Sequence, residues 1–283
     1  RLRRRSTHGD SSKGWCRCAS SRSVFQTWGG PNLQALLDLN HDVALAVTHP
    51  ASEQAYKAIW SESVEDFARD RDIPVHLTER IDNDTIDLVK RAEPDVIVVN
   101  SWYTWMPPEL YQLPPHGTLN MHDSLLPKFT GFSPPVLWAL ISGENEFGLT
   151  IHRMDEGLDT GDILVQHSLP IGPTATGTEL VLRGMELIPP GALDEALTAL
   201  ESGTAVWRPQ NKAERTYFHK RSERDSLIDW HWAAEDLERF VRALSDPYPP
   251  RAFTHYRGER IEIVEARISE ARYGGTPGRV IVQ

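Results

Sequence analysis

At 283 residues the chain has room for one large domain, or a main domain with a smaller one attached. Its 40% hydrophobic and 25% charged residues are ordinary for a globular protein, and no apolar run approaches the roughly 20 residues of a membrane helix. The net charge of -10 and the scattered basic residues argue against gripping DNA or tRNA through phosphates, so the expected partner is a small molecule, with no nucleic acid and no membrane.

Residues 1–22 are rich in Arg and Ser, with Arg1, Arg3, Arg4 and Arg5 at the front but no apolar stretch behind them. That is not a secretory signal, and the segment reads as a disordered basic leader. The expected location is the cytoplasm. Cys16 and Cys18 are too few and too close for a disulfide framework, and no neighbouring ligands accompany them, so no metal is expected.

Beyond the leader the pattern alternates between strand and helix. Asp42–Thr48 is a short apolar run of the kind that forms a buried parallel strand. Residues 52–71 carry helical spacing (Ala55, Ile59, Val64, Phe67, Ala68), followed by a short strand at 74–77 and a helix through Ile86, Leu88 and Val89. Pro94–Asn100 is the clearest buried strand. This alternation predicts a Rossmann-like, doubly wound, mainly parallel sheet, whose ligands sit beyond the C-terminal strand ends. One or two helices, interrupted at Pro189-Pro190-Gly191, span 178–200. A polar stretch around Pro209-Gln210-Asn211 marks a boundary, so the catalytic domain is placed at 23–205. Residues 206–283 form a smaller β-rich domain, with a helix bearing Leu237, Phe240, Val241 and Leu244 and short strands at 252–256 and 260–264. Val280–Gln283 stops within a strand, so this domain is expected to be incomplete.

The chemistry concentrates in 116–164. Leu119-Asn120-Met121-His122 alternates apolar and polar residues, so a strand here turns Asn120 and His122 to one face at the ligand edge. An amide donates to a developing oxyanion, and an imidazole moves a proton near neutral pH. Downstream, Gly157 and Gly161 flank Asp159, the signature of a turn that presents a carboxylate. A carboxylate brought against His122 would orient its ring. Asn, His and Asp suffice for acyl transfer without a protein nucleophile. His116, His152, His167 and His219 have no metal-ligand spacing and read as structural or surface residues.

The run Asn120-x-His122-x-Ser124-Leu125-Leu126-Pro127, with a later acidic loop ending Leu158-Asp159-x-Gly161, resembles the 10-formyltetrahydrofolate-dependent formyltransferases. That family includes methionyl-tRNA and glycinamide ribonucleotide formyltransferases and enzymes that formylate amino sugars or ornithine-type amines. The resemblance implies that Asn120, His122 and Asp159 are catalytic. It implies that Trp102, Tyr103, Thr104, Trp105 and Met106 form the folate segment, and that Asp155 and Glu156 belong to a loop over the pterin. The donor would be 10-formyltetrahydrofolate, and the second domain OB-like. The family opens on an apolar first strand, whereas Trp15–Val24 here is polar and basic.

The segments around Gln26, Trp28, Asp123 and Ser124 resemble siderophore-pathway formyltransferases acting on ornithine or hydroxyornithine. Those four residues are accordingly assigned to the substrate. An amino-sugar nucleotide is the next candidate, and methionyl-tRNA another. The stretches 48–53 and 61–66, neutral to acidic, would repel an acceptor stem. A catalytically silent folate-binding module is the alternative of a different class. A dinucleotide oxidoreductase would need a Gly-x-Gly-x-x-Gly that Gly29-Gly30 does not begin.

Overall fold

The computed structural model describes residues 19–24, 29–50, 63–102, 104–131, 134–187, 189–246, 250–271 and 274–280. The first half alternates as anticipated: β1 (Ala19–Val24), α1 (Gly29–Asp38), β2 (Asp42–Thr48), α2 (Val64–Arg69), β3 (Val75–Leu77), α3 (Asn83–Ala92), β4 (Val96–Asn100), α4 (Pro108–Tyr111) and β5 (Thr118–His122). The helix pattern across 52–71 is confirmed only over α2, because 51–62 lie outside the described residues. Helix α3 starts where the Asp82 carboxylate accepts the Thr85 N–H at 2.9 Å and ends at Glu93 in a left-handed cap. Between the caps, Ile86 and Val89 face inward.

The second half begins with a short β6 (Thr130–Gly131) and α5 (Pro135–Ile141), then an antiparallel pair, β7 (Glu146–Arg153) and β8 (Ile163–Pro170). Helices α6 (Gly177–Leu187) and α7 (Pro189–Glu201) divide at the prolines, since proline starts a helix more easily than it continues one. The chain then adds β9 (Tyr217–Phe218), α8 (Ala234–Ala243) and the hairpin β10 (Phe253–Tyr256) and β11 (Glu259–Glu262). Arg257 and Gly258, both at positive φ, make the two-residue turn that a right-twisted hairpin favours.

One seven-stranded sheet carries the order β3-β2-β1-β4-β5-β7-β8. The five strands from β3 to β5 are parallel, and β7 and β8 close the far edge antiparallel. That antiparallel pair is absent from the sequence-based expectation. Strand order reverses between β1 and β4, so the crevice of a doubly wound sheet opens beside the ends of β4 and β5.

Strand β1 corrects the leader boundary, because residues 19–22 lie within the sheet rather than in a disordered arm. Ser20–Val24 pair with Val96–Asn100 on one side, and the same strand pairs with β2 on the other. A central slot is bonded along both edges through backbone groups, which do not depend on apolar side chains.

Period-two alternation divides the core. Val96, Val98, Leu119, Met121 and Ile151 face one layer with Leu33, Leu137, Leu193 and Leu197. Ile97 and Val99 face the other, with Leu45, Val47, Ile86, Val89 and Tyr111. Asn120, His122 and His152 alternate with residues of the first layer, so they project from the opposite face.

The C-terminal segment is fastened to the catalytic layer. Arg242 donates to the Ala175 carbonyl, and a Cβ on Gly177 would lie 2.1 Å from the Ala243 carbonyl oxygen. Replacing Gly177 with Ala must therefore part α6 from α8. The expected cost is roughly 1–3 kcal/mol, read as a lower denaturation midpoint. An unchanged midpoint refutes this close approach.

Candidate active site

Strand β5 presents Asn120 and His122 on one face, and the register with β7 sets His152 directly opposite Asn120. The loop joining β7 to β8 brings Asp159 over both. Asp159 has φ +52°, a left-handed conformation that costs a non-glycine residue about 1 kcal/mol and persists only when its surroundings impose it. They do so here. Within the loop, the Asp155 carboxylate accepts the Gly157 N–H at 3.0 Å and the Thr160 hydroxyl at 2.6 Å. From beyond α7, Gln210 Nε2 donates to the carbonyls of Asp159 (2.8 Å) and Gly161 (2.7 Å). Arg215 Nη2 donates to Leu158 at 2.7 Å. Gly161 has no room for a Cβ, which would sit 1.7 Å from the Arg153 carbonyl oxygen.

The Asp159 carboxylate gathers the polar groups. Oδ2 accepts the Gly131 N–H at 3.0 Å and lies 3.7 Å from His122 Nδ1. Oδ1 lies 3.5 Å from Asn120 Nδ2 and 3.8 Å from His152 Nε2. His122 Nε2 is 2.9 Å from the Phe129 carbonyl, which can only accept, so that nitrogen carries a hydrogen. The nitrogen left to exchange a proton is Nδ1, on the Asp159 side. Both side chains are about one-tenth exposed, so their attraction is little screened. Burial drives the His152 pKa down, against the upward pull of Asp159, and keeps this second ring neutral.

The folate segment leaves β4 at Ser101, next to the end of β5. Trp102 stacks on His49, ring centroids 4.0 Å apart, while its indole Nε1 and the Thr104 hydroxyl are buried without hydrogen-bond partners among the described residues. Two orphaned polar atoms at the ligand edge suit a polar heterocycle such as a pterin. Trp105 is largely exposed, and Met106 is packed into the core beside Val47 and Val99. Tyr103, Gln26 and Trp28 lie outside the described residues. Asp155 is occupied in shaping its loop, and Glu156 is exposed.

Of the four residues assigned to the substrate, Asp123 and Ser124 are described. Ser124 is buried and donates to the Lys128 carbonyl at 2.7 Å, holding its own turn. Asp123 is partly exposed as a residue, yet its Oδ1 is buried and has no hydrogen-bond partner among the described residues. It lines a cavity of about 180 Å³ with Leu125, Phe147 and Gln166, and neither Asn120, His122 nor Asp159 lines it. Sequence reasoning missed Gln210, Arg215 and the inward placement of His152. The strand register could have located only His152. Among the described residues no cluster of His, Cys, Asp or Glu could hold a metal ion, and no helix is long and apolar enough to cross a membrane.

Comparison with known proteins matches residues 24–192 to the formyl transferase family and residues 220–283 to the formyl transferase C-terminal domain. The chain belongs to the formyl transferase family. A methionyl-tRNA formyltransferase of Carboxydothermus hydrogenoformans is 36% identical over 248 residues, 87% of this chain and 79% of that one. Another, of Desulfotalea psychrophila, is 34% identical over 267 residues, 93% and 81% of the two chains. Among solved structures, the N-formyltransferase of Helicobacter canadensis, in complex with folinic acid and dTDP-3-aminofucose, aligns with TM-score 0.71. It is 17% identical over 91% of this chain and 90% of its own, a likeness of fold.

This formyltransferase is an enzyme, but the expectation of a small-molecule amine and no nucleic acid is overturned. Relatives similar over most of its length are named for a tRNA substrate, not for siderophore amines. Net charge misled because it averages the whole chain. Between 206 and 224 the six basic residues Arg208, Lys212, Arg215, Lys220, Arg221 and Arg224 outnumber the two acidic ones, Glu214 and Glu223.

Burial pushes the Asp123 carboxyl up to about 7, with the nearby His122 pulling weakly the other way. Because the folded value exceeds the unfolded one, the folded state retains a proton that the unfolded state loses. Stability therefore falls as pH rises from about 4 to 7. Asp123→Asn should stabilise the fold at pH 8 by on the order of 3 kcal/mol, a gain that vanishes below pH 4. Thermal melts across pH check this, and a gain independent of pH refutes it.

Proposed function

We propose that this formyltransferase moves the formyl group of 10-formyltetrahydrofolate to the amino group of methionyl-tRNA. Its similarity to methionyl-tRNA formyltransferases over about nine-tenths of the chain supports that acceptor. So does the basic stretch 206–224, whose Arg208, Lys212, Arg215, Lys220 and Arg224 are exposed. That stretch includes Gln210 and Arg215, which hold the Asp159 loop, so phosphates bound there would lie next to the reacting centre. The unpaired Trp102 and Thr104 atoms support a pterin at the end of β4.

Chemically, the uncharged amine attacks the formyl carbon, and a new C–N bond forms as the carbonyl oxygen becomes an oxyanion. Asn120 donates an amide N–H to that oxygen, and His122 in its charged form adds a second donor at Nδ1. The amine loses a proton as the folate nitrogen gains one and departs. Asp159 holds the imidazole and relays that proton. The Gly131 N–H keeps the carboxylate in place.

The convergence of the three side chains carries this mechanism. His122→Ala and Asp159→Ala should each lower kcat roughly a hundredfold to a thousandfold while the folded state persists. Single-turnover formylation with a circular dichroism control checks this, and near-normal turnover in either variant removes that residue from the chemistry.

The acceptor is tested separately by offering 10-formyltetrahydrofolate with methionyl-tRNA, amino-sugar nucleotides and hydroxyornithine. Formylation of the tRNA is expected, and exclusive formylation of a small amine overturns the assignment. Reversing Lys212, Lys220 and Arg224 to Glu should raise KM for the tRNA by about tenfold or more and flatten its salt dependence. KM for the donor should not change, and a uniform loss toward both substrates would refute the phosphate role.

A further inference from the structure

His152 sits across the strand pair from Asn120, buried and outside the catalytic trio. Its Nδ1 lies 3.0 Å from the Arg153 carbonyl oxygen, an atom that can only accept. Nδ1 therefore carries the hydrogen, and on a neutral ring Nε2 is left with a lone pair. The atom facing Nε2 is Asn120 Nδ2, 3.0 Å away. An amide nitrogen donates to a lone pair, so the arrangement is self-consistent. The rotated amide would set Asn120 Oδ1 against Nε2, two acceptors facing each other with no hydrogen between them. One backbone carbonyl thus selects the ring tautomer, and the tautomer selects the amide rotamer.

We propose that His152 is a positioning residue whose neutral Nε2 accepts one N–H of the Asn120 amide and so commits the second N–H to the side where Asp159 and His122 converge. Without that acceptor only the longer 3.5 Å bond from Nδ2 to Asp159 Oδ1 holds the amide against turning its carbonyl inward. An oxygen facing a developing oxyanion repels it instead of stabilising it. The charged and titratable groups around the ring are Asp159, with Oδ1 3.8 Å from Nε2, and His122 and Asp155 farther off. Asp159 draws a proton toward the ring, whereas burial and His122 resist it, and this balance leaves Nε2 as an acceptor. The inference rests on the catalytic role proposed above for Asn120.

The test compares three variants of the full chain by steady-state formylation, with nitrogen NMR of the wild-type imidazoles. His152→Leu removes the acceptor and should lower kcat by about 10- to 100-fold while both KM values stay in place. His152→Gln supplies a carbonyl oxygen that can accept the same N–H, and should recover most of that loss. In the wild type, His152 should show Nδ1 protonated and Nε2 unprotonated, a measurement that stands even if the leucine variant fails to fold. Wild-type kcat in His152→Leu, or a glutamine variant as slow as the leucine one, overturns the proposal. So does a ring protonated at Nε2. Asn120→Ala separates the two readings. If it is inactive while His152→Leu is normal, only the positioning role falls. If Asn120→Ala is itself fully active, the oxyanion role falls as well.

Discussion

The site depends on one carboxylate held in a backbone conformation it would not choose. Asp159 sits at positive φ, and four separate contacts keep its residue and loop there: the Gly131 N–H on Oδ2, Gln210 on the peptide carbonyls, Arg215 on Leu158, and the glycine at 161 that lets the loop press against β7. Around that fixed charge, Asn120, His122 and His152 come within 4 Å. Strand pairing supplies the rest of the precision, because β5 and β7 lie in register and present their polar residues on a common face.

The legible parts of the molecule were those governed by short-range rules. Asp42–Thr48 emerges as a strand with the bounds its apolar run suggested, and Asn120 and His122 share a face because alternation requires it. What could not be read depends on distant partners. Nothing local marks 146–153 and 163–170 as an antiparallel pair, since their pairing is settled by the edge of a sheet built earlier in the chain. The inward turn of His152 follows from its register with Asn120. Gln210 looked like part of a polar boundary, because its acceptors are backbone carbonyls 51 and 49 residues upstream. Strand β1 shows the same limit, since the polar leader gave no hint that its last residues fill a central slot.

Charge shows a different failure of scale. A chain at -10 reads as hostile to phosphates, yet six of its 30 basic residues fall within 206–224, the segment that clamps the catalytic loop. Electrostatic fields are screened beyond about 10 Å in physiological salt, so a local patch can present a sign opposite to that of the whole molecule.

The clamp by Gln210 and Arg215 also bears on how the protein is made. Residues supplying the reacting groups are synthesised by position 159, but those that hold the loop arrive some 50 residues later. During translation the catalytic carboxylate is therefore complete in composition before it is complete in shape. Contacts between residues so far apart in sequence carry a loop-closure cost that local contacts do not. A chain synthesised only as far as Asp159 therefore holds the reacting groups without the Gln210 and Arg215 contacts that fix their geometry.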